Sequence, residues 1–266
     1  MNDKIFTKYN ELIQKSCERD LEGIKTKNEY FKMINDARMM FESTVTYGVP
    51  VREAIDALIA KDGLEHVLDV ALTVCDMYLP ISLISAINRE MDPKDIMSMI
   101  NDRSRPETDR ATLINVLIDV EDGSVNQFLM DLICTSDCEL IKEEACEVFS
   151  KRDRNTVRRM IRNYFDTNGV KEDLIAVLVN MYRDEENKDD VYTILKDAFI
   201  ASHQKPLVAN MLADLGDGRA VVFLRGYILK NINSLEKDDI IDIAGAIFRL
   251  GGKVDDFLKP DSRELS

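Results

Sequence analysis

The chain reads as all-α, an α-solenoid of helical hairpins about 30 residues long with an atypical helical segment at its N-terminal end. Three observations predict this. The stretch LADLGDGRAVVFLRGYI at 212–228 matches LIDVEDGSVNQFLMDLI at 117–133 at seven of seventeen positions without a gap. The aspartates at the centre of such stretches, Asp92, Asp122, Asp153, Asp184 and Asp217, are separated by 30, 31, 31 and 33 residues. Strand signals are sparse, with no sustained alternation of apolar and polar residues, while apolar residues recur at helical spacing. A unit of this length cannot bury its apolar face alone, so successive units must stack.

Taken in order, residues 1–79 carry long amphipathic patterns but no repeat copy. Ile5, Tyr9, Leu12 and Ile13, then Phe31, Ile34, Met39 and Phe41, set out helical stripes, and Gly48-Val49-Pro50 breaks the chain before a helix over VREAIDALIA at 51–60. This segment is expected to cap the array, because the terminal unit of a stack has to cover the exposed end of its core. A separate helical bundle is the alternative.

The array itself is assigned to 80–258. In each copy an apolar stripe runs up to the anchor, as in Leu113, Val116, Leu117 and Val120, or Ala209, Leu212 and Leu215. A second stripe follows the anchor: Ile96, Met99 and Ile100; Val125, Leu129 and Leu132; Val221, Leu224 and Ile228. Aspartate between them is expected to cap the second helix, since its carboxylate accepts the first-turn N–H groups and opposes the positive end of the helix dipole. Asp92-Pro93 adds proline at the first helical position, where its missing N–H costs nothing. The turn RDEENKDD at 183–190 holds about three residues more than its counterparts, and a last, degenerate copy centres on Gly251-Gly252. The tail at 259–266 is polar.

This pattern resembles the HEAT-like repeats of the phycobilisome-lyase type, with LADLGDGRAVVFL at 212–224 as the clearest match. The resemblance covers about 80–258 and implies a right-handed superhelix of hairpins. It does not imply an activity, because the same repeat is spread over many chains. HEAT-like enzymes similar to deoxyhypusine hydroxylase hold iron with repeated His-Glu pairs, which this chain lacks. HEAT-like alkylpurine DNA glycosylases use a basic, aromatic-bearing surface, whereas this chain has no tryptophan and a net charge of −14.

That charge works against non-specific attraction to nucleic acid and anionic lipid. It is unevenly spread: residues 1–50 sum to zero, 51–150 to −13, 151–165 to +5 and 166–266 to −6. The basic island KRDRNTVRRMIRNYF places Arg154, Arg158 and Arg162 four residues apart on one side of a helix with Arg159 beside them, opposite Val157, Ile161 and Tyr164. Guanidinium groups pair bidentately with carboxylates and phosphates, so Arg154, Arg158, Arg159 and Arg162 are the candidate partner-binding residues. The competing reading is a solvated face paired to neighbours, for which Glu143, Glu144, Glu147, Asp184, Glu185 and Glu186 are available.

No catalytic constellation is present: no Walker-type loop, no GxSxG and no HExxH. His66 and His203 have no acid–base companion in sequence. Cys134, Cys138 and Cys146 fit no zinc spacing, and five cysteines form no disulfide framework. The acidic turn lacks the glycine and alternating oxygen ligands of a calcium loop. Most of the twelve methionines fall at or beside apolar-stripe positions and read as core filling. No run of 18 apolar residues occurs, and charges stand where a signal peptide needs an apolar stretch, so an intracellular, cytoplasmic protein is expected. The function expected is therefore a non-catalytic scaffold or adaptor, without cofactor or metal, that binds another protein bearing an acidic patch. Phosphate or nucleic-acid binding through 154–162 is the alternative, and the oligomeric state is open.

Overall fold

A computed structural model describes residues 3–20, 27–43, 45–46, 49–75 and 78–255. Among these residues the structure is helical apart from one short antiparallel ladder, β1 (Val45–Thr46) on β2 (Val49–Pro50). The chain divides into two compact units, Met1–Val148 and Phe149–Ser266.

The first unit opens with α1 (Asp3–Asp20) and α2 (Lys27–Glu42), followed by the ladder, α3 (Val51–Asp62) and α4 (Leu64–Val74). Then come α5 (Ile81–Glu90), α6 (Pro93–Asn101), α7 (Glu107–Val116) with a 3-10 turn at Leu117–Asp119, α8 (Gly123–Thr135) and α9 (Glu139–Ser150), within which the division falls. Helix α1 packs on α2 and α4 and buries Ile5, Tyr9 and Ile13, each four residues from the next, with the Tyr9 ring edge-on to Phe41 of α2 at 4.9 Å. The end of α2 is fixed to the entry of α5: Glu42 Oε1 accepts from the Ser82 N–H and hydroxyl, both at 3.1 Å, and Arg38 Nη2 donates to the Leu79 carbonyl at 2.9 Å. Glu42 thereby satisfies a first-turn donor that Pro80, the residue at the cap position of α5, leaves open.

Two stripe assignments in this region need correction or fall outside it. Met39 is 63% exposed and Met40 also faces outward, because the buried side of α2 runs through Ile34, Ala37 and Phe41. Phe31 lies outside the residues whose side chains are described.

The second unit contains α10 (Arg154–Asn168), α11 (Glu172–Tyr182), α12 (Asp189–Ala201), α13 (Lys205–Leu215), α14 (Arg219–Asn231) and α15 (Lys237–Arg249). Alternate helices stack: α11 packs on α13 and α13 on α15. These helices bury side chains at helical spacing, Leu174 and Leu178, Val208, Leu212 and Leu215, and Ile243 and Ile247.

Asp92, Asp122 and Asp153 occupy the cap positions of their helices, and Asp217 stands one residue before the cap Gly218, yet each accepts a first-turn N–H. Asp92 accepts from Lys94 N at 2.8 Å, Asp122 from Ser124 N at 2.7 Å, Asp153 from Thr156 N at 2.9 Å and Asp217 from Arg219 N at 3.0 Å. Asp184 does not cap. The three additional residues of its turn carry α12 past it, and Asn187 Oδ1 accepts the Asp189 N–H at 3.1 Å instead. On the other side of the hairpin turns, Gly216 ends α13 at φ 74°, a left-handed conformation that a side chain would strain.

Candidate functional site

Helix α10 presents the arginine row. Asp153 starts the helix, and its carboxyl is held below the usual range by the Thr156 hydroxyl and N–H. Val157 and Ile161 are buried and Tyr164 is half-buried, which turns the row away from the core. Three of the four arginines are engaged by carboxylates about one repeat later in the chain. Arg154 pairs with Glu185 in the turn before α12, Arg158 with Asp190 and Arg162 with Asp197 on α12 itself, the last through Nη1 at 2.8 Å. Arg162 Nε also reaches Asp166 at 3.1 Å, and its guanidinium stands 5.4 Å from the centre of the Phe165 ring. These carboxylate bonds raise the Arg162 pKa further.

Arg159 is exposed, has no ion pair among the described residues, and lies on the outer face of α10 between exposed Asn155 and Asn163. The arginines that sequence spacing groups together therefore divide into a paired ladder and one outward cation. Of the carboxylates proposed as neighbours, Glu185 takes part. Asp184 lies 3.5 Å from Arg183, and Glu144 is buried in the first unit, where Asn115 Nδ2 donates to it at 2.8 Å. Asp190 and Asp197 were not legible as partners, because which turn of α12 faces which turn of α10 depends on packing.

A second charged cluster joins the turns before α12 and α14. Arg219 stacks on the Tyr192 ring at 4.5 Å, and its guanidinium reaches Asp189 at 2.8 Å and Asp217 at 2.6 Å. The Arg219 hydrogen bonds are the main cause that holds the Asp217 carboxyl below its usual range. Beside it, Lys188 Nζ donates to the carbonyls of Arg183 and of Leu215, the latter at 2.7 Å, and so satisfies acceptors at the C-terminal ends of two helices at once. An open depression between these turns is lined by Glu186, Asn187, Asp189, Gly216 and Arg219. Among the described residues no group of three or more His, Cys, Asp or Glu side chains could hold a metal ion. His66 and His203 are exposed, Cys75 is buried, and Cys134, Cys138 and Cys146 are half-buried thiols. No described helix is long and apolar enough to cross a membrane.

One surface went unread in the sequence. Val222 and Leu229 on α14 are 78% and 57% exposed, and Gly226 lies between them at the same outward face. Helix α15 repeats the arrangement with Ile241, Gly245 and Phe248. The available signal was an excess: α14 needs Ala220, Leu224 and Ile228 for its buried side, so Val222 and Leu229 are apolar residues beyond that requirement. The chain matches no family model, no curated protein and no solved structure.

Proposed function

We propose that this protein is a non-catalytic scaffold or adaptor, a right-handed solenoid of HEAT-like hairpins that binds another protein along the face formed by its second helices. The observation that carries the reading is the recurrence of helix, capped turn and helix from α5 onward, with α11, α13 and α15 packed in succession. Stacks of this kind offer extended surfaces, which suit protein partners better than small ligands. Arg159, with Asn155 and Asn163, supplies a polar outer face on α10 where an acidic patch fits.

The ion pairs of Arg154, Arg158 and Arg162 favour this reading over phosphate or nucleic-acid binding, since a phosphate would have to displace three carboxylates. The test is affinity capture of the tagged protein from its native cell extract at physiological salt, in parallel with Arg159→Glu and with labelled RNA and duplex DNA at low salt. A stoichiometric protein partner, weakened by Arg159→Glu, is expected. Recovery of no stable partner, or nucleic-acid binding that falls steeply with salt, would overturn the proposal.

A further inference from the structure

Of the helices in the second unit, α10 buries the least for its length. Val157 and Ile161 are its two buried side chains in fifteen residues, against seven of eleven on α11 and five of thirteen on α12. Apolar burial is what holds most helices of a folded chain in place, so α10 needs another source of attachment.

Its own sequence does not supply one. Asn155, Asn163, Asn168, Thr156, Thr167 and Val157 are all weaker helix formers than alanine, leucine or arginine. The charges at its ends also run against the helix dipole, with Arg154 in the first turn and Asp166 in the last. The Asp153 cap offsets this at one end only.

The turn before α12 and α12 itself provide what is missing. Glu185 brings a carboxylate to Arg154 at the positive end of α10, and Asp190 and Asp197 engage Arg158 and Arg162 further along it. Residues 184–197, which carry these carboxylates, hold six acidic and two basic side chains, a net charge of −4 set against the +5 of 151–165. The ion pairs span a gap: a cavity of about 250 Å³ lies between the two segments, lined by Arg154, Arg158, Tyr182, Glu185, Asp190 and Val191. Across it the Tyr182 hydroxyl donates to the Arg154 carbonyl at 3.4 Å, the long end of such bonds. Charge therefore joins α10 to α12 where apolar packing does not.

We infer that α10 is an electrostatic strap: it opens locally, ahead of the rest of the second unit, and ionic strength sets how often. Opening releases Arg154, Arg158 and Arg162 from their carboxylates and uncovers Tyr182 and Val191, which the closed strap keeps buried. The screening length falls from about 30 Å at 0.01 M ionic strength to about 3 Å at 1 M. Each part-exposed pair shifts an equilibrium by at most about fivefold. Partial loss of three such pairs gives roughly a tenfold change in the open population. The inference concerns the protein alone and does not rest on any partner.

Hydrogen exchange of the full chain, read by mass spectrometry at constant pH in sodium chloride from about 0.01 to 1 M, tests it. Exchange in α10 peptides is expected to rise about tenfold across this range relative to α13 peptides, which serve as the reference for any general effect of salt on stability. Combined Asp190→Asn and Asp197→Asn should raise α10 exchange at low salt to near the wild-type level in high salt, and flatten its salt dependence. If that variant also strips protection from α13, Glu185→Gln removes one pair in the turn outside both helices and should give a smaller change of the same kind. Exchange in α10 that tracks α13 at every salt concentration, or that is insensitive to salt, overturns the inference. So does a wild-type exchange pattern in the pair variants.

Discussion

Two glycines seven residues apart should respond to the same substitution with opposite sign. Gly245 lies within α15, exposed, with open space where a Cβ would go. Alanine there removes conformational freedom from the unfolded chain and suits the helix, so Gly245→Ala should stabilise the second unit by about 0.5–1 kcal/mol. Gly252 is held by its N–H to the Ile247 carbonyl at 2.9 Å, and its Cβ would lie 2.5 Å from Ile247 Cγ2, 2.8 Å from Val221 Cγ1 and 3.0 Å from the Ile247 carbonyl oxygen. Two of these are buried or half-buried branched side chains and the third is backbone, so none yields freely. Overpacking of this kind costs about 1–3 kcal/mol. The two variants should therefore differ by roughly 1.5–4 kcal/mol, which at ordinary urea sensitivities separates their midpoints by about 0.5–4 M. Urea unfolding followed by circular dichroism suits a chain without tryptophan. Hydrogen exchange at α13 and α15 ties the change to the second unit. A neutral or stabilising Gly252→Ala, or a destabilising Gly245→Ala, would refute the packing argument.

Two further outcomes follow from the charged turns. Lys188→Met retains the aliphatic stem but leaves the Leu215 and Arg183 carbonyls without their donor, and should destabilise the second unit by about 1–2 kcal/mol in the same urea assay. Asp217, whose folded pKa lies below its unfolded value, contributes stability that is present above the unfolded pKa and lost as pH falls through the folded one. Wild-type stability of the second unit should accordingly fall below about pH 4, and Asp217→Asn should flatten that limb.

How much of this was legible depended on how local each cause is. Asp92, Asp122, Asp153 and Asp217 act on N–H groups two or three residues away, so sequence spacing alone identified them as acceptors at helix starts, the first three at the cap position itself and Asp217 one residue before it. Asp184 was misassigned because a carboxylate three residues too early cannot reach the first turn, and the length of a turn is set by where its two helices pack. The arginine row was visible as a row, but Asp190 and Asp197 became its partners only through the register of α10 against α12. Met39 and Leu229 show the same limit from the other side. Apolar character at helical spacing marks a stripe, yet whether that stripe is covered depends on the neighbours that the fold brings to it.

The replacement of Asp184 by Asn187 has a consequence for how such a chain can change over time. Helix starts here belong to a location in space, and any oxygen-bearing side chain that arrives there can serve. Extra residues in one connection are thus absorbed where they occur, without sliding Val191, Leu195 or Phe199 off their seats. Length can vary at these corners while the interior is preserved, so corners are where new recognition features can be grafted without rebuilding what lies beneath.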